Sequence, residues 1–200
     1  MATEGMAREG MTIRVLGAWR DMRGTMRAVL DGRPSETALL VFILVSGLLH
    51  FLGSMAEFWL DPRSIGLEQG EALANIYWLG IFFFVVRTIG LYMLALLGHL
   101  LARAFGGRGD AYASRAAMAW AALVAAPVWL MLKFLGLSLQ GEIGHEPARA
   151  IGEFGYIPFI YALAHCFAEA HGFQRTWAVL GVIALLVMML FSGLMLLSSS

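Results

Sequence analysis

Four histidines, His50, His99, His165 and His171, lie within or beside long apolar stretches. There an imidazole must find a hydrogen-bonding partner or a metal. Two imidazoles on facing helices at one depth would ligate a haem iron. The order of the stretches brings His99 and His165 to a common depth and leaves His50 nearer the middle. Two stacked haems would need ligand pairs at a recurring spacing, and no such recurrence is present. The expectation is therefore interhelical hydrogen bonding without a cofactor. His165 and Glu169, with His171 and Arg103, also form a titratable cluster at one end, from which a small transporter or permease component could be built. Glu57, Arg87, Lys133 and Glu153 fall toward the opposite boundary, where two opposite-charge pairs can form. A transport path wants charge at mid-depth, and only His50 is near it, so anchoring and helix registration is the preferred reading of these charges.

Other chemistry is poorly supported. Gly106-Gly107-Arg108-Gly109-Asp110 lacks the Gly-Lys-Ser/Thr ending of a phosphate-binding loop and reads as a tight reversal in which glycine permits positive φ. Its Arg-Gly-Asp triplet is read as coincidental. No Gly-x-Ser-x-Gly or His-Glu-x-x-His string occurs. Cys166 is the only cysteine, set in an apolar stretch, and reads as a buried thiol. No catalytic, cofactor-binding or metal-ligating residue is assigned, and the chain is not expected to be an enzyme.

The elements that would position these groups are membrane helices. Five stretches, Ala38–Leu60, Ala72–Ala104, Ala116–Leu139, Ala150–Glu169 and Trp177–Leu197, each reach the ~20 residues a helix needs to cross a ~30 Å hydrocarbon core. A mean hydropathy of +0.73 agrees, and with only 14% charged residues the chain lies outside the soluble globular range. A formal net charge of zero excludes the basic stripe that nucleic acid requires. The prediction is an all-α, five-span bundle: a cytoplasmic arm over residues 1–35 and a membrane domain over 36–200. Several arginines and acids precede the first apolar run, so it reads as a retained anchor and not a cleaved leader. Met11, which opens the periodic segment, is a second candidate start.

Charge sets the orientation. Arg8, Arg14, Arg20, Arg23, Arg27, Arg33, Arg103, Arg108, Arg115 and Arg175 fall on one side of such a bundle, against Arg63 and Arg149 on the other. The positive-inside rule then puts the N-terminus in the cytoplasm and the C-terminus outside, with the inner membrane as location. The second stretch is longer than one crossing needs, but it lacks hairpin turn residues and reads as a single tilted span, with Arg87 snorkelling near its outer end and Ala72–Val86 tilted or interfacial. Ile13, Leu16, Trp19, Met22, Met26 and Val29 recur at helical spacing with arginines on the other faces, which predicts an amphipathic helix at the membrane interface. Ala113, Ala117, Ala121 and Ala125 form a small-residue stripe for close helix approach, and Pro127 and Pro158 are expected to kink their spans.

The run Leu91–Pro127, with Gly106-Gly107-Arg108-Gly109 closing one span and Pro127 inside the next, resembles the Yip1 domain family. The entry Gly32-Arg33-Pro34-Ser35-Glu36 and the ending that includes His171-Gly172-Phe173 are similar to bacterial members. The resemblance implies a multi-pass protein with a cytoplasmic N-terminus and typically five spans. Eukaryotic members linked to Rab GTPases and vesicle traffic carry an Asp-Leu-Tyr-Gly-Pro-like motif before the first span, and no such string occurs here. The expected role is non-enzymatic, through contacts of the cytoplasmic face with membrane lipids, a membrane or peripheral protein, or a second copy of the chain.

Overall fold

A computed structural model describes residues 10–60 and 72–183, and every regular element among them is helical. The arm forms α1 (Met11–Gly17) and α2 (Met22–Gly32); α3 is Glu36–Leu60. A continuous second rod joins α4 (Ala72–Ile81), a π-helical turn (Phe82–Val86) and α5 (Arg87–Ala104). Then come α6 (Ala111–Ile143), α7 (His145–Glu153) and α8 (Tyr156–His171), and residues 176–183 are again helical. Four helical segments are long and apolar enough to cross a membrane: Glu36–Leu60, Ile76–Ala104, Ala111–Ile143 and His145–His171. The fifth predicted span, Trp177–Leu197, is described only at its start; the rest lies outside the described residues.

Local chemistry sets the helix ends. Asp21 caps α2 by accepting from the Gly24 N–H at 2.8 Å, and Asp110 caps α6 by accepting from the Ala113 N–H at 2.7 Å. Ser35 Oγ accepts from the Ala38 N–H at 3.2 Å at the start of α3. Gly172, at φ 72°, closes α8 in the left-handed conformation that suits glycine.

α6 is the central helix, packed by α3, α5, α7 and α8. Its alanine stripe is the reason: Ala113, Ala117, Ala121 and Ala125 are all buried, as the spacing predicts. In lipid, association rests on van der Waals contact, so small residues that let backbones approach do the work that apolar bulk does in water. Gly47 on α3 plays the same part opposite the π turn, where an added Cβ would stand 2.9 Å from the Phe83 carbonyl oxygen.

Four expectations change. The arm is two helices, and only Met22, Met26 and Val29 of its predicted apolar set are buried, α2 packing on α8 and α6 while Ile13 and Leu16 stay exposed. The fourth span, His145–His171, contains a turn at Phe154–Gly155, where the Trp129 ring fills the place of a side chain at Gly155. Pro158 falls in the first turn of α8, where its missing N–H has no intrahelical partner to lose. Arg87 does not reach outward: its Nη1 donates to Ser46 Oγ at 2.9 Å, beside the middle of α3. The π turn just before it adds a residue and rotates the following face by roughly 100°, the angular step of one helical residue.

Candidate functional site

The polar groups of the chain concentrate where the arm meets the bundle. Met22, Met26 and Val29 lie at spacings of four and three along one face of α2, and their burial turns Arg23 and Arg27 toward the C-terminal end of α8. There Arg23 Nε donates to one oxygen of Glu169 at 2.8 Å and Arg27 Nε to the other at 2.7 Å. Arg23 also donates to the Phe173 carbonyl at 3.0 Å and the Gln174 carbonyl at 3.3 Å, which ties the arm to the chain beyond α8. The Glu169 side chain is only 10% exposed, so its charge is met by guanidinium and not by water. The hydrogen bond to Glu169, reinforced by that carboxylate's charge, raises the pKa of Arg27 further above its ordinary value.

The glycine loop locks against the same end. Gly106 takes φ 83°, the Gly107 N–H donates to the Ala102 carbonyl at 2.8 Å, and the Arg108 N–H donates to the His171 carbonyl at 3.0 Å. At Gly109 a Cβ would collide with the Ala170 carbonyl and the His171 ring, so glycine is what admits this contact. The Arg33 guanidinium lies over the Tyr112 ring at 5.2 Å, Tyr112 OH donates to the Pro34 carbonyl at 2.6 Å, and Arg115 pairs with Glu36. Arg20, Arg103, Arg108 and Arg175 remain exposed around the assembled end.

The histidines sort differently from the sequence expectation. His99 does not meet His165; it meets His171, with ring centroids 5.7 Å apart. His165 donates from Nδ1 to the Tyr161 carbonyl at 2.9 Å and packs on the Tyr161 ring at 4.2 Å, while Glu169 is held by the arm, so the two do not form a joint site. His50 donates to its own turn at Ser46 O, 2.8 Å, and stacks on Trp129 at 4.2 Å. His50 and His165 are thus satisfied within their own helices and not between helices as expected; the interhelical bond is made by His171. Among the described residues no group of three or more metal-ligating side chains converges.

Sequence reading missed one close hydroxyl–imidazole contact. Ser114 Oγ and His171 Nε2 share a hydrogen bond of 2.8 Å, the distance of a nucleophile and its base. Both residues are buried, at 0% and 1% exposure, and His171 Nδ1 has no partner to orient the ring. With neither access nor an orienting group, the pair fastens α8 to α6. The predicted outer pairing is half present: Lys133 Nζ meets Glu57 Oε2 at 2.6 Å, whereas Arg87 takes Ser46 in place of Glu153.

No significant match was found among curated proteins or solved structures. The family model described as Yip1 domain matches residues 16–197, from the arm through all four described candidate spans. That match takes in the apolar rods, the glycine loop and the proline-bearing central helix, and the chain belongs to the Yip1 domain family.

Proposed function

We propose that this is a non-enzymatic inner-membrane protein that organises membrane or recruits partners through a cytoplasmic face. That face comprises the arm of residues 1–35, the glycine loop and Arg175; residues 36–200 anchor it. Five crossings, N-terminus inside and C-terminus outside, fit the ten-to-two arginine bias and the helical start at residues 176–183 of the last apolar stretch.

One observation carries the reading: the double clamp of Arg23 and Arg27 on Glu169 gathers arm, loop and helix ends into one surface rimmed by exposed arginines. Such a surface attracts anionic headgroups or an acidic protein segment. Exposed Ile13 and Leu16 on α1 suit insertion at the headgroup level. A transporter built on His165 and Glu169 has less support, because each is already engaged elsewhere.

Two measurements test this. In a Cys166→Ser background, Arg20→Cys should react with an impermeant maleimide only in inverted vesicles; labelling from the outside overturns the orientation. Crosslinking in native membranes followed by mild-detergent purification should yield a reproducible protein or anionic-lipid partner, reduced by charge reversal at Arg20 and Arg108. Reproducible recovery of neither sinks the recruitment reading.

A further inference from the structure

A cavity of about 370 Å³ lies among α3, the π turn, α5, α6 and α8, well away from the arm-bearing end. Its wall is mostly aromatic and aliphatic, and it contains the Arg87 guanidinium and no carboxylate. Arg87 sits seventeen residues before the end of α5, about 25 Å along the axis, and opposite Ser46, ten residues or about 15 Å into α3. Both measures place it within the hydrocarbon depth.

A guanidinium carries five N–H donors, and among the described residues one of Arg87's is used, on Ser46 Oγ. Ser46 Oγ itself donates to the Ile43 carbonyl at 2.8 Å, so the serine is a neutral, fully engaged partner. The ion pairs among the described residues are Arg23–Glu169, Arg27–Glu169, Arg115–Glu36 and Lys133–Glu57; none involves Arg87. An intramembrane charge without a counter-charge is expensive, and such residues mark sites of binding or passage. Of the remaining polar side chains of the wall, Trp129 and Tyr156 carry hydrogen-bond donors, whereas His50, whose Nδ1–H is spent on the Ser46 carbonyl, leaves only an acceptor nitrogen. A site with one cation, two further donors and no acid favours an oxyanion.

The cavity also has a route in. Phe82, Val86 and Leu94 line it and are 50%, 51% and 51% exposed on the surface of the second rod, which in a bilayer faces acyl chains. Its volume lies at the small end of ligand cavities, enough for one chain and not for a two-chain lipid. A carboxylate is also easier to bring to this depth than a phosphodiester with its glycerol, since it carries fewer polar atoms to desolvate.

We propose that this cavity binds a long-chain carboxylate, a single-chain anionic amphiphile, with its oxyanion on Arg87 and its chain against the aromatic wall. The site is separate from the surface assigned to recruitment, and either assignment can fail without the other.

The test uses the full chain in phosphatidylcholine nanodiscs with a diazirine-bearing palmitate as photolabel. Labelling should saturate, map to the residues around Arg87, and be displaced by oleate but not by oleyl alcohol, which lacks the oxyanion. Arg87→Gln should weaken binding about tenfold or more, the loss expected for a charge-assisted hydrogen bond; Arg87→Lys should retain part of it. Gly90→Leu is the occluding variant, because a Cβ there meets nothing within 4 Å and its side chain can grow into the space; it should reduce labelling with the fold intact. Equal displacement by oleyl alcohol, labelling unchanged in Arg87→Gln and Gly90→Leu, or displacement by phosphatidylglycerol as potent as by oleate would each overturn the assignment. So would unsaturable labelling together with a lower melting temperature for Arg87→Gln in lipid alone, since that pattern means the chain itself neutralises the cation.

Discussion

At the arm-bearing end, the guanidinium groups that turn inward meet charge: Arg23 and Arg27 share Glu169, and Arg115 takes Glu36. In the cavity, Arg87 meets, among the described residues, a serine hydroxyl and no acid, while Lys133, farther along α6 near Trp129, is paired with Glu57. Two cations on neighbouring helices thus stand in opposite electrostatic states. A paired buried cation registers helices, because losing its partner strands a charge. An unpaired one costs stability as it stands, and so its retention is better explained by a ligand than by folding.

The sharpest way to break that contrast is to remove each cation in turn. Lys133→Met should leave Glu57, whose side chain is 18% exposed, as a stranded carboxylate and destabilise by about 3 kcal/mol or more. The double variant Lys133→Met/Glu57→Leu should recover most of that loss. Arg87→Met, by comparison, should be neutral or stabilising in ligand-free detergent. Unfolding midpoints in one detergent settle all three, and equal losses for Lys133→Met and Arg87→Met would erase the distinction.

A smaller effect is expected at the clamp. Glu169→Gln removes the carboxylate charge and one of its two acceptor oxygens, but Arg23 and Arg27 are 31% and 65% exposed and can turn to water, so the cost should be about 1 to 2 kcal/mol. The global fold should survive, with faster hydrogen exchange confined to α2 and new protease cleavage near Arg20. Protection unchanged across α2 would mean that Met22, Met26 and Val29 hold the arm without the clamp.

The limits of sequence reading follow the same division. Hydropathy averages over twenty residues, so the first four spans were legible: Ala38–Leu60 against Glu36–Leu60, Ala72–Ala104 against the continuous rod, Ala116–Leu139 against Ala111–Ile143, and Ala150–Glu169 within His145–His171. The alanine stripe was legible for the same reason, since its period is helical. Pairing across helices was not. Whether His99 faces His165 or His171 depends on the rotation of α5, and the π turn inserted above it has no signature in Phe82-Phe83-Phe84-Val85-Val86 beyond bulk. The clamp did leave a trace, one acid at the end of an apolar stretch opposite an arginine-bearing arm. It was hidden because surface arginines near a membrane read first as headgroup contacts.

The glycine loop offers a finer cut within the arm-bearing end. Gly109→Ala places a Cβ against the Ala170 carbonyl and His171, atoms of a helix that cannot yield. It should cost about 1 to 2 kcal/mol, as overpacking does, and release the bond between the Arg108 N–H and the His171 carbonyl. Gly106→Ala meets no atom within 4 Å and should cost only the roughly 1 kcal/mol of its φ of 83°. If recruitment depends on loop placement, Gly109→Ala should impair partner recovery more than Gly106→Ala; the reverse order would dissociate the loop from the face.

Ser114→Ala should have a similarly small effect, about 1 kcal/mol, and it decides how the buried histidine is to be understood. The substitution leaves His171 Nε2 without its 2.8 Å partner in a ring whose Nδ1 already lacks one. Replacing both groups by apolar ones removes the penalty from each, so Ser114→Ala/His171→Phe should sit near wild-type stability. A phenyl ring suits the position, because the imidazole already stacks on Phe167 at 5.7 Å and lies 6.2 Å from Phe173. Wild-type stability and wild-type partner recovery in the double variant would establish the pair as a fastener between α6 and α8. Recovery lost at intact stability would show that the imidazole serves the recruiting face through more than packing.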